Sequence, residues 1–258
     1  MLTEAQLFQS HTFGFLIFRQ LFRPDEVETL RREFRQAMEA RYRHAPFDGT
    51  RRHWLPMMGA ETPFFAGLLE DPRFCETAEQ LYGEDALAII SDANRYVGDT
   101  GWHPDTGSLD QYGVKFAYYL QPVGAESGAL RVIPGSHRDP LHADLRQKLG
   151  RSRLSFREVP AYACEAEPGD VIAFDLRLWH GSCGGSGDRR MGTVVYYHNP
   201  STPEETEATR RQAEMNPRYA ADFDRPVAPI YLPEWLANPD ASPRRQRWIA
   251  RLQELGFF

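Results

Sequence analysis

Three side chains in this sequence have the types and the spacing of a metal site. His103 and Asp105 lie two residues apart in Trp102-His103-Pro104-Asp105, and His180 follows much later, in Trp179-His180-Gly181. Side chains two apart on a strand, or at its end, point to the same side. Two imidazoles and one carboxylate on one face leave three coordination positions open, which is typical of non-haem Fe(II) sites that react with oxygen.

The pattern His-x-Asp also occurs at His137-Arg138-Asp139 and His142-Ala143-Asp144, so the surrounding elements must distinguish the three pairs. The last pair lies in a segment with helical leucine spacing: Leu141, Leu145 and Leu149. Side chains at positions i and i+2 of a helix point about 200° apart, so this pair is a poor chelate. The middle pair follows Pro134-Gly135, which is typical of a type II turn and favours a turn-anchoring or surface role.

Strands are predicted on both sides of His103 and before His180. An apolar run covers Ala86 to Ile90, and Gly113 to Leu120 is rich in β-forming residues. Val171 to Trp179 is nearly continuously apolar, which predicts one strand that delivers His180 at its end. We therefore expect His103 at a strand edge beside flexible loops, where a metal could meet a substrate.

Four motifs, in this order, resemble the phytanoyl-CoA dioxygenase family of Fe(II)/2-oxoglutarate oxygenases. They are Trp102-His103-Pro104-Asp105, the segment Gly128 to His137, Pro168-Gly169-Asp170, and His180-Gly181-Ser182 with Arg190 ten residues on. The resemblance runs from about residue 10 to about residue 200. It implies a mainly β protein with flanking helices, whose double-stranded β-helix core (a jelly roll, cupin-like) holds iron and 2-oxoglutarate at one end.

The resemblance implies that the iron ligands are His103, Asp105 and His180. It also implies that Arg190 holds the distal carboxylate of 2-oxoglutarate, a task that suits a guanidinium because it binds a carboxylate through two hydrogen bonds. Arg189 is the competing residue, since it is adjacent and faces the other side of the same strand. The spacing in the family and the small Gly192 favour Arg190. On the strand Gly113 to Leu120, the cosubstrate-pocket candidates are Lys115, Ala117 and Tyr119.

Asp105 also bears on the reaction. Radical halogenases of related fold have a small residue in place of this carboxylate, so that halide can bind iron; an Asp here favours hydroxylation. The resemblance implies that Fe(II), 2-oxoglutarate and O2 together hydroxylate an unactivated C–H bond of a small metabolite or natural-product scaffold, with release of succinate and CO2. The chain has no Gly-rich phosphate-binding motif, which disfavours an acyl-CoA substrate.

Two alternatives stay open. One is a cupin-like metal-binding protein without oxygenase activity, and the other is an inactive family member that acts as a binding scaffold. The first gives no reason for an arginine after the distal histidine, and the second gives no reason for a complete set of site residues.

Composition agrees with a soluble enzyme and adds little else to the prediction. The formal net charge is -6 and the sequence pI is about 5.8, so no overall basic field attracts nucleic acid. No apolar stretch is long enough for a membrane span, and no signal pattern opens the chain. Three scattered cysteines, Cys75, Cys164 and Cys183, suit a reducing cytoplasm. Cys183 is expected to be a loop residue and not a metal ligand.

A single domain over residues 1–258 accommodates these features. We expect a helical N-terminal cover over about 1–85, the jelly-roll core over about 86–200 and a helical C-terminal cover over about 201–258. Arg43 to Pro63 is expected to be irregular, and Pro226 to Pro233 is proline-rich. Four aromatic residues of the C-terminal cover could seal the core, form a lid or meet a second subunit: Trp235, Trp248, Phe257 and Phe258. The oligomeric state is not predicted.

Overall fold

A computed structural model describes residues 1–149, 156–185, 187–221, 230–237 and 242–258. Its strands are β1 (Phe15–Phe18), β2 (His53–Pro56), β3 (Leu87–Tyr96), β4 (Thr100–His103), β5 (Gly113–Tyr119), β6 (Leu130–Val132), β7 (Tyr162–Cys164), β8 (Val171–Asp175), β9 (His180–Ser182) and β10 (Arg189–Tyr197). Its helices are α1 (Glu4–Phe13), α2 (Pro24–Arg41), α3 (Pro63–Gly67), α4 (Pro72–Tyr82), α5 (Leu141–Leu149), α6 (Pro203–Ala221), α7 (Pro233–Leu236) and α8 (Pro243–Leu255), with a 3-10 turn at Phe156–Glu158.

The strands form two antiparallel sheets. The larger sheet has the order β1-β8-β5-β10-β3-β2, and the smaller has the order β4-β9-β6-β7. Consecutive strands often lie in different sheets, so the chain winds between the two layers. This architecture is the double-stranded β-helix, with flanking helices, that the sequence predicted.

Alternation along β5 separates the two sides of the larger sheet. Phe116 and Tyr118 are buried in an apolar cluster shared with α2, α4 and α8, whereas Ala117 and Tyr119 belong to a cluster shared with β6 and β7 of the smaller sheet. Lys115 has the same phase as Ala117 and Tyr119. The space between the sheets therefore receives its polar groups from the odd-numbered positions of β5.

The N-terminal cover is not purely helical, because β1 and β2 form the two edges of the larger sheet. The prediction that Arg43 to Pro63 is irregular is wrong for β2, which pairs with β3 from His53 opposite Arg95 to Pro56 opposite Asp92.

The predicted single strand from Val171 to Trp179 is also wrong. β8 ends at Asp175 in the larger sheet, and a turn leads into β9 of the smaller sheet. Asp175 and Arg177 form a two-bond ion pair within this turn, from Nε to Oδ1 at 2.9 Å and from Nη2 to Oδ2 at 2.7 Å. His180 is therefore the first residue of a new strand.

The C-terminal helices close the outer face of the larger sheet. Trp235 and Trp248 are buried in the cluster on that face, whereas Phe258 is 44% exposed. Of the proline-rich segment, residues 226–229 lie outside the described part. None of the helices in the described residues is both long and apolar enough to cross a membrane.

Candidate metal centre

The two histidines and the aspartate predicted as ligands come together between the sheets. Oδ1 of Asp105 lies 3.9 Å from Nε2 of His103 and 3.8 Å from Nε2 of His180. All three potential ligand atoms lie within 4.8 Å of one another. In the part of the chain that the structure describes, no other three His, Cys, Asp or Glu side chains form such a group.

Strand pairing places the ligands. His103 at the end of β4 is the cross-strand partner of His180 at the start of β9, and their ring centroids are 4.4 Å apart. Asp105 follows β4, and its backbone N–H donates to the carbonyl of Leu176 at 2.8 Å. The turn that precedes β9 thus also fixes the backbone that carries the carboxylate.

Backbone carbonyls orient both imidazoles. Nδ1 of His103 lies 2.7 Å from the carbonyl oxygen of Gly101, and Nδ1 of His180 lies 2.9 Å from that of Leu178. A neutral ring that donates from Nδ1 has its lone pair on Nε2, where a metal would bind. Burial lowers the pKa of His180 to about 3, although the charge of Asp105 opposes the shift. This ring is therefore neutral at pH 7.

Asp105 is ionised and paired with a half-buried lysine, Lys115, whose side chain is 23% exposed. Its Oδ2 accepts a hydrogen bond from Nζ of Lys115 at 2.9 Å. Burial opposes the charge on Asp105, but the positive charge and the hydrogen bond of Lys115 outweigh it and hold the pKa of Asp105 well below the usual value. The pKa of Lys115 is raised, since Asp105 more than offsets the cost of burial. Two imidazoles and one carboxylate are a ligand set that fits Fe(II).

Two cavities meet at this centre. One, of about 150 Å³, lies deeper between the sheets, and the other, of about 350 Å³, has more apolar walls. Both are lined by Arg52, Asp92, His103, Asp105 and Lys115. The ligands therefore stand at the junction of a small polar chamber and a larger chamber.

Arg190 lies outside both cavities. Its side chain is 44% exposed on the other face of β10, where Nε donates to Oε1 of Gln121 at 3.1 Å. Arg189 is only 2% exposed and lines the small chamber together with Met191 and Thr193 of the same strand. Of the two arginines, Arg189 therefore faces the chamber beside the ligands, and Arg190, which the family spacing favoured, does not. Gly192 faces away with Arg190, where its missing side chain makes room for Tyr118.

The guanidinium of Arg189 is confined by backbone. Its Nη2 donates to Oγ of Ser182 at 2.9 Å, and its Nη1 donates to the carbonyl of Gly98 at 3.2 Å. A Cβ at Gly128 or Gly185 would overlap Nη1. Its Nε is buried and has no hydrogen-bond partner within the described part of the chain. Among the described residues, no carboxylate lies within ion-pair distance of Arg189, so this buried charge is available to an anion.

The other cosubstrate candidates line the small chamber. Lys115, Ala117 and Tyr119 all face it from β5, as the alternation predicted. Burial raises the pKa of Tyr119, so its hydroxyl stays protonated and can donate a hydrogen bond.

Two further residues, Arg52 and Asp92, lie beside the ligands, and Asp92 was missed at the sequence level. Arg52 donates to Oδ1 of Asn94, and its guanidinium lies 4.0 Å from the centroid of the Tyr96 ring. Asp92 accepts hydrogen bonds from Trp54, Asn94 and Thr193. The available signal was a polar residue at every second position of β3, at Asp92, Asn94 and Tyr96.

The remaining His-x-Asp pairs lie apart from the centre. His142 is buried on α5 with Nδ1 3.0 Å from the carbonyl oxygen of Ser136, as expected for a helical pair that cannot chelate. His137 is buried, not on the surface, and its Nε2 lies 3.2 Å from the carbonyl oxygen of His11, so it anchors the end of α1. Cys183 is buried just after β9 and is not among the three ligands.

A family model identifies the chain. The model described as Phytanoyl-CoA dioxygenase (PhyH) matches residues 10–192, which is more than half of the sequence. The chain belongs to the phytanoyl-CoA dioxygenase family. A curated relative, the ectoine dioxygenase of Bordetella bronchiseptica, is 24% identical over 203 residues. That match covers 66% of this chain and 66% of the relative, just under two thirds of its length.

Solved structures share the fold. HygX from Streptomyces hygroscopicus, with nickel and 2-oxoglutarate bound, matches with a TM-score of 0.60 at 24% identity over 76% of this chain and 86% of that one. EctD from S. alaskensis, with 2-oxoglutarate and 5-hydroxyectoine, matches with a TM-score of 0.55 at 21% identity over 76% of each chain. At these identities the likeness establishes the double-stranded β-helix alone.

Proposed function

We propose that this protein is an Fe(II)/2-oxoglutarate-dependent dioxygenase that hydroxylates an unactivated C–H bond of a small organic metabolite or natural-product scaffold. The observation that carries the proposal is the convergence of three ligand atoms within 4.8 Å beside a buried arginine that lacks an acidic partner in the described residues. Family membership and the bound groups named for HygX and EctD support it. When bound, Fe(II) would activate O2, which is the oxidant, while 2-oxoglutarate would supply two electrons and become succinate and CO2, with one oxygen atom of O2 entering succinate and the other entering the substrate.

His103, Asp105 and His180 would hold the iron. The chain contributes preorganised ligands, because the carbonyls of Gly101 and Leu178 fix the two rings before a metal arrives. Ligands held in this way need no rearrangement when the metal binds. Outer partners, meaning groups that hydrogen-bond to a metal ligand without touching the metal, typically change metal affinity or activity by about 10- to 100-fold.

Arg189 is the residue proposed to bind the distal carboxylate of 2-oxoglutarate. A chamber of about 150 Å³ suits a small diacid, and a carboxylate would supply the partner that the buried Nε of Arg189 lacks. Ser182 and the carbonyl of Gly98 already orient the guanidinium. Tyr119 is proposed as a further donor to the cosubstrate from the same chamber.

The larger cavity is proposed to bind the substrate. Its apolar walls include Ile89, Ile90, Leu176 and Val195, and its volume of about 350 Å³ fits a small organic molecule. Trp54 and Arg52 add polar atoms near the ligands. The chain would thus hold an aliphatic C–H bond beside the metal and keep bulk water away from it.

The alternatives account for fewer of these features. A cupin-like protein without oxygenase activity needs no buried cation, and a scaffold without a metal needs no preorganised ligands.

We further infer that the enzyme acts in the cytoplasm, because Cys75, Cys164 and Cys183 are free thiols. The volume of the larger cavity supports a free small molecule as its substrate.

The experiment is an anaerobic titration of the protein with Fe(II), followed by 2-oxoglutarate. We expect a visible charge-transfer band only when both are present, and succinate formation when air is admitted with a substrate. Candidate substrates are then screened for a mass gain of one oxygen. Metal binding without any 2-oxoglutarate-dependent band would favour the cupin-like alternative, and no metal binding would favour the scaffold.

A further inference from the structure

The two oxygens of Asp105 have different partners. Oδ1 faces Nε2 of His103 and Nε2 of His180, whereas Oδ2 accepts the hydrogen bond from Nζ of Lys115. Lys115 lies on β5 between β8 and β10, opposite Phe174 on one side and Val195 on the other. Pairing on both sides fixes the backbone from which the ammonium reaches Oδ2.

The residue type at position 115 is unusual for this chain. Only two of its 30 basic residues are lysines, Lys115 and Lys148, and the second is a solvated residue of α5 whose side chain is 69% exposed. The other 28 basic residues are all arginines, among them Arg177, which forms the two-bond ion pair with Asp175. An ammonium is a point charge that satisfies one oxygen, whereas a guanidinium fork binds both oxygens of a carboxylate.

We propose that Lys115 is a positioning residue that restricts Asp105 to coordination of the metal through Oδ1 alone. The proposal rests on the proposed function, because 2-oxoglutarate chelation takes two of the three positions left by the ligands and O2 needs the third. A carboxylate that bound through both oxygens would occupy one of these positions. By engaging Oδ2, Lys115 keeps that position open.

This role differs from the direct cosubstrate contact that the sequence suggested for Lys115. The ammonium lines the small chamber, but its hydrogen bond is made to Asp105, and Arg189 provides the cation that lacks a carboxylate partner in the described residues. Lys115 thus acts on the cosubstrate through a ligand of the metal.

Two substitutions at position 115 should affect Fe(II) affinity differently. In Lys115→Met, Oδ2 is released to the metal and a nearby positive charge is removed, so Fe(II) affinity should be retained or increased. In Lys115→Arg, the fork should take both oxygens and Fe(II) affinity should fall. Lys148→Met is the matched control, since it removes the other lysine far from the centre, and circular dichroism checks the fold of each variant.

The deciding measurement is binding of nitric oxide, an O2 surrogate, to the Fe(II) and 2-oxoglutarate complex, followed by electron paramagnetic resonance. We expect the affinity for nitric oxide to fall in Lys115→Met by at least about tenfold, within the range by which outer partners tune metal sites. Lys148→Met should match the unmutated protein.

Nitric oxide affinity in Lys115→Met within about threefold of the unmutated protein would overturn the proposal, as would loss of Fe(II) binding in this variant, which would mean that Lys115 merely supports the site. Failure of the unmutated protein to bind 2-oxoglutarate would refute the proposed function instead. The Fe(II) titrations of Lys115→Met and Lys115→Arg still test in that case whether position 115 controls how Asp105 reaches the metal.

Discussion

The cavity between the sheets and the outer shell of this molecule contain the same kinds of side chain in different surroundings. In the cavity, His103 and Asp105 direct Nε2 and Oδ1 toward a third ligand. On α5, His142 is hydrogen-bonded at both ring nitrogens, to the carbonyl of Ser136 and to Arg146, and Asp144 is exposed. The same His-x-Asp pattern therefore directs two potential ligand atoms into the cavity at the end of β4, whereas on α5 its histidine packs the helix against the loop at Ser136.

The two adjacent arginines of β10 show the same contrast. Arg189 is buried among backbone carbonyls, a hydroxyl and glycines, whereas Arg190 is exposed and bonded to Gln121. Burial makes the difference, because an unpaired charge in a desolvated chamber gains far more from an anion than the same charge in water does. Whether an arginine of β10 can bind an anion in the chamber therefore depends on which side of the strand it faces.

The largest expected effect separates the histidines of the two regions. His180→Ala and His103→Ala each remove a ligand, so Fe(II) affinity should fall by more than about 100-fold, beyond the usual effect of an outer partner. His142→Ala should bind Fe(II) like the unmutated protein. Anaerobic titration measures all three, and equal affinities across the set would refute the assignment of the centre.

Asp105→Gly tests the carboxylate of the cavity. It leaves both imidazoles in place but removes the third ligand and the partner of Lys115, so succinate formation should fall by roughly 100-fold because iron binding weakens. We expect loss of activity and not a switch to chlorination, since halide transfer also requires the substrate carbon to be held away from the competing hydroxyl. Mass spectrometry in chloride buffer checks this. A chlorinated product from the unmutated protein would contradict the hydroxylase proposal.

Substitution of the two arginines should have a smaller effect than loss of a metal ligand, and the effect should be on the affinity for 2-oxoglutarate. Loss of a charge-assisted two-bond contact costs about 2–4 kcal/mol when the other charge stays buried. Arg189→Ala should therefore raise the apparent dissociation constant for 2-oxoglutarate by tens- to hundreds-fold, while Arg190→Ala leaves it unchanged. Cosubstrate titration of the iron-loaded proteins measures both constants, and the reverse order would restore the assignment to Arg190.

The smallest effect concerns the glycines around Arg189. A methyl group at Gly185 would displace the guanidinium, and overpacking of about 1 kcal/mol corresponds to roughly fivefold weaker 2-oxoglutarate binding. Gly187→Ala in the same loop is the control, because its nearest neighbour would be the carbonyl oxygen of Gly49 at 3.9 Å. If both variants bind 2-oxoglutarate equally well, the close approach of Gly185 to the guanidinium does not position Arg189.

Local patterns sufficed where a single element determines the outcome. The leucine spacing around His142 predicted a helix, and the apolar and β-rich runs predicted the strands that flank His103, because both periodicities are contained in a few residues. The fold class and the convergence of the two histidines with Asp105 were also predictable, although both predictions came from family resemblance and not from spacing alone.

The structure differs from the sequence predictions where pairing with a neighbouring strand determines the placement of a residue. A shift of one residue reverses the faces of a strand, so the choice between Arg189 and Arg190 depended on the pairing of β10 with β3 and β5. The strand β2 is four residues long and is defined by its pairing with β3. The run from Val171 to Trp179 contains one acidic and one basic residue, Asp175 and Arg177, and these form an ion pair within the turn between β8 and β9. The sequence pattern does not show this pairing, so the mainly apolar run predicted one continuous strand.

The pairing of β4 with β9 has a consequence for the order of folding. Its two histidines are far apart in the sequence, and contacts of such long range form slowly because a long loop must close first. A nascent chain that has emerged only as far as β5 offers a metal one imidazole and one carboxylate from this centre. Tight capture of iron must therefore wait until β9 has been synthesised and paired, so metal uptake reports completion of the barrel.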